Sequence, residues 1–442
     1  MEISENNSGL KKTLSPLMLW GLGVGYVISG MYFGWNLGLE KGGTLGLAIA
    51  TFFIIILYTC FSFSYAELAC AIPKAGGVFD YAKRALGKDL GFIAGVAQII
   101  EFVFAPPAIA FGIGAYFNLF FPGIPVLPIS ITAYFIFTAL NIVGVKAAAI
   151  FELFITIIAV VEILIFSGVT LPHFKSENLT HNAFPNGWGG VFAALPFAIW
   201  FFLGIEGLAN VAEETKNPQR DILRGFGSAI FTLVILCVLV FVAAIGVGGW
   251  ESIVYKNGIS GDTSDSPLPL AMSKIVGNSG FMFHMLLTIG LFGFVASFHG
   301  LILAAGRSTF EFGKTGFAPK FLGKINSKFK TPANALLINM AVGIIALCTN
   351  KTADIITISV MGALTLYIIA MISLIVLRKK EPDLHRPFKV PGYPATPFLV
   401  LILAIICFCA VAYFNLKLSF IYIGLVALSW VLFKVFYKKP TQ

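Results

Sequence analysis

The chain has 442 residues, of which 58% are hydrophobic and only 12% are charged, and its mean hydropathy is +0.89. Soluble domains carry about 25% charged residues, so this composition excludes a soluble globular protein and predicts an integral membrane protein. The net charge of +9 does not indicate a nucleic-acid-binding protein, because most lysine and arginine residues fall in alternate connecting segments, as membrane topology requires.

Long intervals without charge recur along the whole chain. A helix needs roughly 20 apolar residues to cross a bilayer core of about 30 Å. Twelve such spans are predicted, at 14–40, 43–70, 89–118, 126–144, 147–171, 190–211, 226–248, 279–306, 333–350, 353–377, 396–415 and 418–436. The basic residues then predict that both termini are cytoplasmic. We expect a multi-pass protein of the cytoplasmic membrane, embedded in the lipid bilayer.

The first span is interrupted near its middle by a glycine-containing segment. Backbone groups freed at membrane depth must be satisfied by protein, water or a ligand, so such a break predicts the binding site of a carrier. The interruption comprises Ser29, Gly30, Met31, Tyr32, Phe33, Gly34 and Trp35. We predict that the residues from Ser29 to Gly34 contact a substrate.

The third span carries Glu101 near its middle. A carboxylate at this depth costs about 2.5 to 3.5 kcal/mol on insertion scales, and such groups usually line a pathway. Gln98 precedes it, and Pro106 and Pro107 follow, which are expected to kink the helix and free carbonyl groups. We interpret Glu101 as the partner of a substrate ammonium group. A structural carboxylate held by hydrogen bonds is the alternative.

Two further carboxylates lie in the fifth span. Glu152 is about one turn inside its predicted cytoplasmic end, near Lys146, so pairing and snorkelling explain it as a structural residue. Glu162 lies nearer the centre of the span, and the sequence leaves its role open.

The sixth span contains a second break, at residues 202–207. Gly204 and Gly207 flank Glu206, where an ionisable group can reach a central cavity, so Glu206 is predicted to gate or to exchange a proton. Trp200 and Phe202 adjoin this break as Tyr32 and Phe33 adjoin the first. An aromatic face contributes roughly 0.5 to 2 kcal/mol to binding a cation, so the two breaks together predict a site for a small organic amine.

The positions of the breaks predict internal symmetry. The broken spans are the first and the sixth, and an odd number of spans between repeat starts inverts the second repeat. The fold prediction is therefore an all-α membrane protein with two inverted five-helix repeats and two further helices. The expected segments are a tail at 1–13, repeats at 14–171 and 190–377, an outer loop at 172–189, an inner loop at 378–395, helices 11 and 12 at 396–436 and a tail at 437–442.

The second half adds an outer connection and a histidine. The stretch from Trp250 to Gly277 is the longest external connection, either a lid or a spacer, and Ser266–Pro267 predicts a turn before a short helix. His299 in the eighth span can donate, accept or take up a proton, so we group it with Glu206 in gating or proton coupling. No histidine or cysteine pair has metal-ligand spacing, and we expect neither a metal nor a cofactor.

Three motifs resemble those of the amino acid-polyamine-organocation superfamily of transporters. They are Ala66–Leu68 with Pro73, Gly76, Gly77, Phe79 and Tyr81; Gly204–Gly207 followed by Ala212–Arg220; and Gly306–Arg307 through Gly316–Pro319. The resemblance covers nearly the whole chain. It implies the fold predicted above, a substrate-wall role for Trp200 and a coupling or gating role for Glu206.

The first break departs from the pattern of that superfamily's amino acid carriers. Trp35 and Asn36 follow Gly34 where those carriers complete a cradle for the substrate carboxylate. The stretch from Gly34 to Leu39, with the residues around Glu101 and Pro106, resembles the ethanolamine permease branch. The resemblance implies a coupling ion, either H⁺ or Na⁺. Ala159 stands where some proton-coupled relatives have lysine, and Ser297 with the carbonyl groups of the first break is a possible sodium site.

The sequence therefore predicts a secondary active transporter that imports ethanolamine or a close small amine by alternating access. The alternatives are an amino acid or polyamine permease of the same superfamily and a passive amine channel. An enzyme is not expected, because the spans contain no pair of nucleophile and base.

Overall fold

The computed structural model describes residues 12–144, 148–258 and 260–436, which form helices joined by turns. Most of the predicted tail at 1–13, the tail at 437–442 and Lys146 lie outside these ranges. The first half contains α1 Pro16–Val27, α2 Ser29–Tyr32, α3 Leu37–Ala71, α4 Val78–Leu86, α5 Lys88–Phe120, α6 Val126–Val143, α7 Ala148–Thr170, α8 Glu177–Thr180 and α9 Gly187–Trp200. The second half contains α10 Pro218–Gly248, α11 Glu251–Val254, α12 Pro267–Val276, α13 Phe281–Lys314, α14 Ala333–Leu347, α15 Thr352–Lys380, α16 Ala395–Phe414 and α17 Leu416–Phe436. Short 3-10 helices occupy Leu171–His173 and Ile205–Glu214.

Ten helical segments of the described chain are long and apolar enough to cross a membrane. They are α3, α5, α6, α7, α9 with the 3-10 segment that follows it, α10, α13, α15, α16 and α17. α1 and α14 are apolar but shorter. The prediction of an all-helical, many-span protein is confirmed at this level.

The predicted boundary between the first two spans, at 41–42, lies next to an interruption of helical geometry at Gly43. α3 runs from Leu37 to Ala71 across the expected gap at 41–42, and the chain bends within it at Gly43, where φ is +65°. A side chain would be strained at this φ, so glycine permits the bend. Glu40 and Lys41, which form an ion pair at 2.8 Å, therefore lie just before this bend.

The broken helix α1 lies at the centre of the bundle. It packs against α10, α7 and α13, while α3 packs against α9 and α5 packs against both α13 and α15. α5 continues through Pro106 and Pro107, because its neighbours bury both prolines and hold the helix together. The division into two repeats stays a prediction.

The outer connection contains the predicted short helix, which is α12. Asp265, just before α12, accepts a hydrogen bond of 2.9 Å from the Thr352 hydroxyl at the start of α15. We call the end of the bundle that carries this connection the outer end, and the opposite end, which carries Leu14 and Thr215, the inner end.

Protonation of Asp265 should affect stability. Burial raises the pKa of this carboxyl from its ordinary value of 3.8 to about 6, although the Thr352 hydrogen bond and Lys256 act to lower it. A raised folded-state pKa gives stability that is complete below the unfolded value and is lost as the pH rises through about 6. We expect the melting temperature of purified wild type to fall between about pH 4 and pH 7 more steeply than that of Asp265→Asn. Exposed Asp262→Asn is the control, and equal slopes for wild type and Asp265→Asn would contradict this prediction.

Candidate functional site

The first break is more compact than the sequence predicts. Ile28 separates α1 from the single turn α2, so the first part of the predicted break is helical, and the chain leaves helical geometry at Phe33–Asn36. Phe33 is extended, and Gly34 has a φ of +86°. Since only glycine adopts this φ without strain, Gly34 allows the chain to turn into α3.

The second break follows α9. The helix ends at Trp200, and Gly204 adopts a left-handed conformation with φ of +103°. From Ile205 to Glu214 the chain forms a 3-10 helix, which begins within the predicted break at 202–207 and continues beyond the predicted end of the span at 211. The tighter winding changes which backbone groups are bonded and directs Glu206 back toward the break.

The two breaks contact each other. The indole nitrogen of Trp200 donates a hydrogen bond of 3.1 Å to the carbonyl oxygen of Phe33, and the two rings meet edge to face with centroids 5.7 Å apart. A Cβ atom at Gly30 would lie against the carbonyl oxygen of Trp200. The structure thus brings Gly30, Phe33 and Trp200 together.

Ser297 of α13 spans the first break. Its hydroxyl accepts a hydrogen bond of 2.9 Å from the Ser29 amide and donates one of 2.6 Å to the Gly25 carbonyl oxygen. Both are backbone groups beside Ile28, so Ser297 satisfies polar groups that the interruption of the helix exposes. In this conformation the Ser297 hydroxyl proton is already used in a hydrogen bond within the protein.

Aromatic side chains surround both breaks. The Tyr32 hydroxyl donates to the Ala159 carbonyl oxygen at 3.0 Å, and the Tyr32 and Phe33 rings both contact Phe294, with centroids 5.6 and 5.3 Å apart. Phe202 instead packs against Tyr58 at 5.3 Å. Met31 is buried with them. The predicted wall therefore has two patches, one around Phe294 and one around Tyr58.

Glu101 is fully buried, with 0% of its surface exposed. Neither carboxylate oxygen has a hydrogen-bond partner in the described part of the chain, whereas its backbone carbonyl accepts a bond of 2.8 Å from Ser359. Ile356 of α15 lies beside Gly34. Three residues along a helix span about 4.5 Å, so α15 places Glu101 within roughly one turn of the first break. A buried carboxylate without hydrogen-bond partners is costly, whereas a structural carboxylate would be held by hydrogen bonds.

Glu206 has partners for both oxygens. One accepts a hydrogen bond of 3.2 Å from the Gly204 amide, and the other accepts one of 3.1 Å from the Tyr367 hydroxyl. Tyr367 also shares a hydrogen bond of 2.8 Å with Tyr58. Glu206 therefore connects the second break to α15 and α3.

His299 lies beside Glu152 of α7. Its Nδ1 atom lies 3.7 Å from a carboxylate oxygen of Glu152, and both side chains are buried. The assumed partner of Glu152, Lys146, lies outside the described residues. Glu162, whose role was open, interacts with the Tyr32 hydroxyl near the outer half of the bundle.

Hydrogen bonds bridge the chain on both sides of the breaks. At the outer side, Asn36 donates to the carbonyl oxygens of Ser264 and Ile253 at 2.8 and 3.3 Å. At the inner side, Gln98 donates to Ser308 and Asn210 at 3.0 and 3.3 Å. The breaks thus lie between two sets of polar contacts, which we call the polar closures.

The sequence did not identify Asn36, Tyr58, Tyr367 or Phe294 as site residues. Asn36 and the two tyrosines carry a detectable signal, since each is a polar group inside an apolar span. Their partners are distant in sequence, as for Tyr58 and Tyr367, so only the fold identifies them. Phe294 has no such signal among the many phenylalanines of the chain.

Comparison with known proteins adds to this geometry. A family model described as amino acid permease matches residues 14–433. An uncharacterized transporter of Rhizobium meliloti (strain 1021) is 28% identical, over 93% of this chain and 88% of its own length. The branched-chain amino acid permease BcaP of Bacillus subtilis (strain 168) is 27% identical, over 93% and 90%. The low-affinity putrescine importer PlaP of Escherichia coli (strain K12) is 27% identical, over 76% and 75%.

Proposed function

Because this chain belongs to the amino acid permease family and is a multi-pass membrane transporter, we propose that it imports ethanolamine or a closely related small amine by alternating access. The substrate would lie between the two breaks. Its walls would be formed by the side chains of Tyr32, Phe33, Trp200 and Phe202. The backbone would approach it closely at Gly30, Met31 and Gly204.

The observation that carries the proposal is the Glu101 carboxylate, which has no hydrogen-bond partner among the residues that the structure describes. A small organic ammonium would supply both the charge and the hydrogen-bond donors that this buried group lacks. The neighbouring aromatic rings suit the same cation.

The first break also supports a substrate without a carboxylate. The Gly34 amide donates to the side-chain oxygen of Asn36 at 3.0 Å, and the Ser29 amide is bonded to Ser297. Trp35 is buried and stacks on Phe201 with centroids 5.4 Å apart. Amides that would otherwise hold a substrate carboxylate at a helix end are therefore used within the protein.

The proposal includes the complete topology. Twelve spans would form two inverted five-helix repeats and two additional helices, with both termini in the cytoplasm and the protein in the cell membrane. The broken spans would then be equivalent elements of the two repeats, as their mutual contact supports. The orientation is tested with a tag at either terminus, which should be accessible from the cytoplasmic side alone. Accessibility from the outside would contradict it.

Glu206 would gate by holding the second break to α15. We expect Glu206→Ala to reduce uptake about tenfold or more, because Gly204 and Tyr367 both lose a partner, and each such loss costs roughly 1 to 3 kcal/mol. Glu206→Gln should transport within about threefold of wild type, since an amide can accept from Gly204 and donate to Tyr367. Uptake rates at equal membrane content measure this, and equal loss in both variants would contradict a role through hydrogen bonding.

The proposed substrate is tested with purified protein in proteoliposomes. Uptake of labelled ethanolamine is measured with an imposed pH gradient, a sodium gradient or neither, and with excess leucine or putrescine as competitors. Saturable ethanolamine uptake that leucine does not inhibit is expected. Leucine uptake without ethanolamine uptake would favour the amino acid permease, which the similarity to BcaP makes the principal alternative. Preferential putrescine uptake would favour a polyamine permease.

Counterflow separates a carrier from a passive amine channel. Vesicles preloaded with unlabelled ethanolamine should transiently accumulate label above the outside concentration, because a carrier exchanges one substrate for another. A channel would equilibrate label without this overshoot. The two polar closures around the breaks support the carrier.

A further inference from the structure

A second carboxylate in the bundle has an unusual environment. Glu152 on α7 is buried, and one of its oxygens lies 3.7 Å from Nδ1 of His299 on α13. The other oxygen has no hydrogen-bond partner among the residues that the structure describes. At this separation the carboxylate and the imidazole couple their protonation electrostatically, whereas snorkelling of Glu152 to a surface would have left it exposed.

The pair lines a cavity at the inner end of the bundle. The other ionisable groups that line the cavity are Tyr26 of α1, Glu214 of the 3-10 segment and Arg307 of α13. Arg307 and Glu214 form an ion pair of 2.7 Å with each other. Among the described residues that line the cavity, Glu152 and His299 therefore form an acid–base pair whose charge is not balanced by an ion pair to a third side chain.

The pair is also connected to the first break. A Cβ atom at Gly25 would lie against the unpartnered oxygen of Glu152 and the hydroxyl of Thr156. The Gly25 carbonyl accepts the hydrogen bond of Ser297, which in turn accepts from the Ser29 amide. A change of charge at Glu152 thus acts on the end of α1. Gly25 and Ser297 link that end of the helix to Ser29 of the proposed substrate site.

We infer that Glu152 and His299 together bind the proton that drives uptake; this inference rests on the proposed import function. The pair takes one proton, changing from a carboxylate and a neutral imidazole to a neutral unit, and releases that proton to water in the inner cavity. An uncompensated buried charge against Gly25 disfavours close packing of α1, so proton occupancy biases the position of the broken helix. Glu206 differs, since both of its oxygens are bonded to groups that hold the second break.

The test compares ethanolamine accumulation driven by an inward pH gradient with ethanolamine counterflow at equal pH, using full-length protein in proteoliposomes. Glu152→Gln and His299→Gln should each lose at least about 90% of gradient-driven accumulation, because the proton no longer contributes driving force. Counterflow should stay within about threefold of wild type, because exchange at equal pH needs no net proton movement. His284→Gln, an exposed histidine on the same helix, and exposed Glu177→Gln serve as controls and should behave as wild type.

The outcomes separate this inference from the proposed function. Accumulation retained in Glu152→Gln, or wild-type accumulation that follows a sodium gradient and ignores the pH gradient, would overturn the proton site alone. Loss of counterflow in both Gln variants would also overturn it, because the pair would then be needed for structure rather than for coupling. Absence of ethanolamine counterflow in wild type would instead overturn the proposed substrate.

Discussion

Glu101→Gln should abolish transport and yet make the substrate-free protein more stable. We expect ethanolamine affinity to fall at least about 100-fold, which corresponds to roughly 2.7 kcal/mol, because the amide lacks the charge that pairs with an ammonium. The same change removes a fully buried charge whose oxygens lack hydrogen-bond partners in the described chain, so the melting temperature should rise. Binding is measured by scintillation proximity and stability by thermal unfolding of purified protein.

This opposite response distinguishes a binding carboxylate from a structural one. A structural carboxylate contributes hydrogen bonds, so replacing it would lower the melting temperature and leave the affinity of folded protein nearly unchanged. Exposed Glu177→Gln controls for the loss of one negative charge. Wild-type affinity in Glu101→Gln would remove Glu101 from the proposed site.

Gly30→Ala should be the most damaging single-methyl substitution near the breaks. The added Cβ atom would collide with the backbone carbonyl oxygen of Trp200, which cannot rotate away as a side chain would. Overpacking a tightly packed interior usually lowers the free energy of unfolding by about 1 to 3 kcal/mol. Because the added methyl group would displace a broken helix, we expect the loss for Gly30→Ala to reach or exceed that range. We expect uptake to fall at least about tenfold and the melting temperature to decrease.

Gly168→Ala provides the matched control on α7. A Cβ atom there meets nothing within 4 Å, so the substitution should be neutral or slightly stabilising through helix propensity. If Gly30→Ala transports as well as Gly168→Ala, the two breaks do not approach each other as closely as the contact between Gly30 and Trp200 requires.

The composition of individual segments was enough to predict where most helices and both helix breaks lie. Apolar intervals without charge predicted the long helices, and the glycine-containing segments at 29–35 and 202–207 predicted where helices are interrupted. Both inferences depend on the cost of charges and free backbone groups in a bilayer, which acts on a single segment and can be read without knowing its neighbours. The same reasoning placed the boundary between the first two spans beside the bend at Gly43, but it was less accurate within the first break, because Ser29–Tyr32 keeps a helical turn.

Tertiary structure decided which polar groups act together. The sequence marked Glu101, Glu152, Glu162 and Glu206 as costly. It could not distinguish Glu101, which has no hydrogen-bond partner among the described residues, from Glu206, which Gly204 and Tyr367 satisfy. It predicted gating or proton coupling for both Glu206 and His299, and only the fold shows that His299 lies beside Glu152. These pairings join helices far apart in the chain, and their energies depend on distances of a few ångströms that only packing sets.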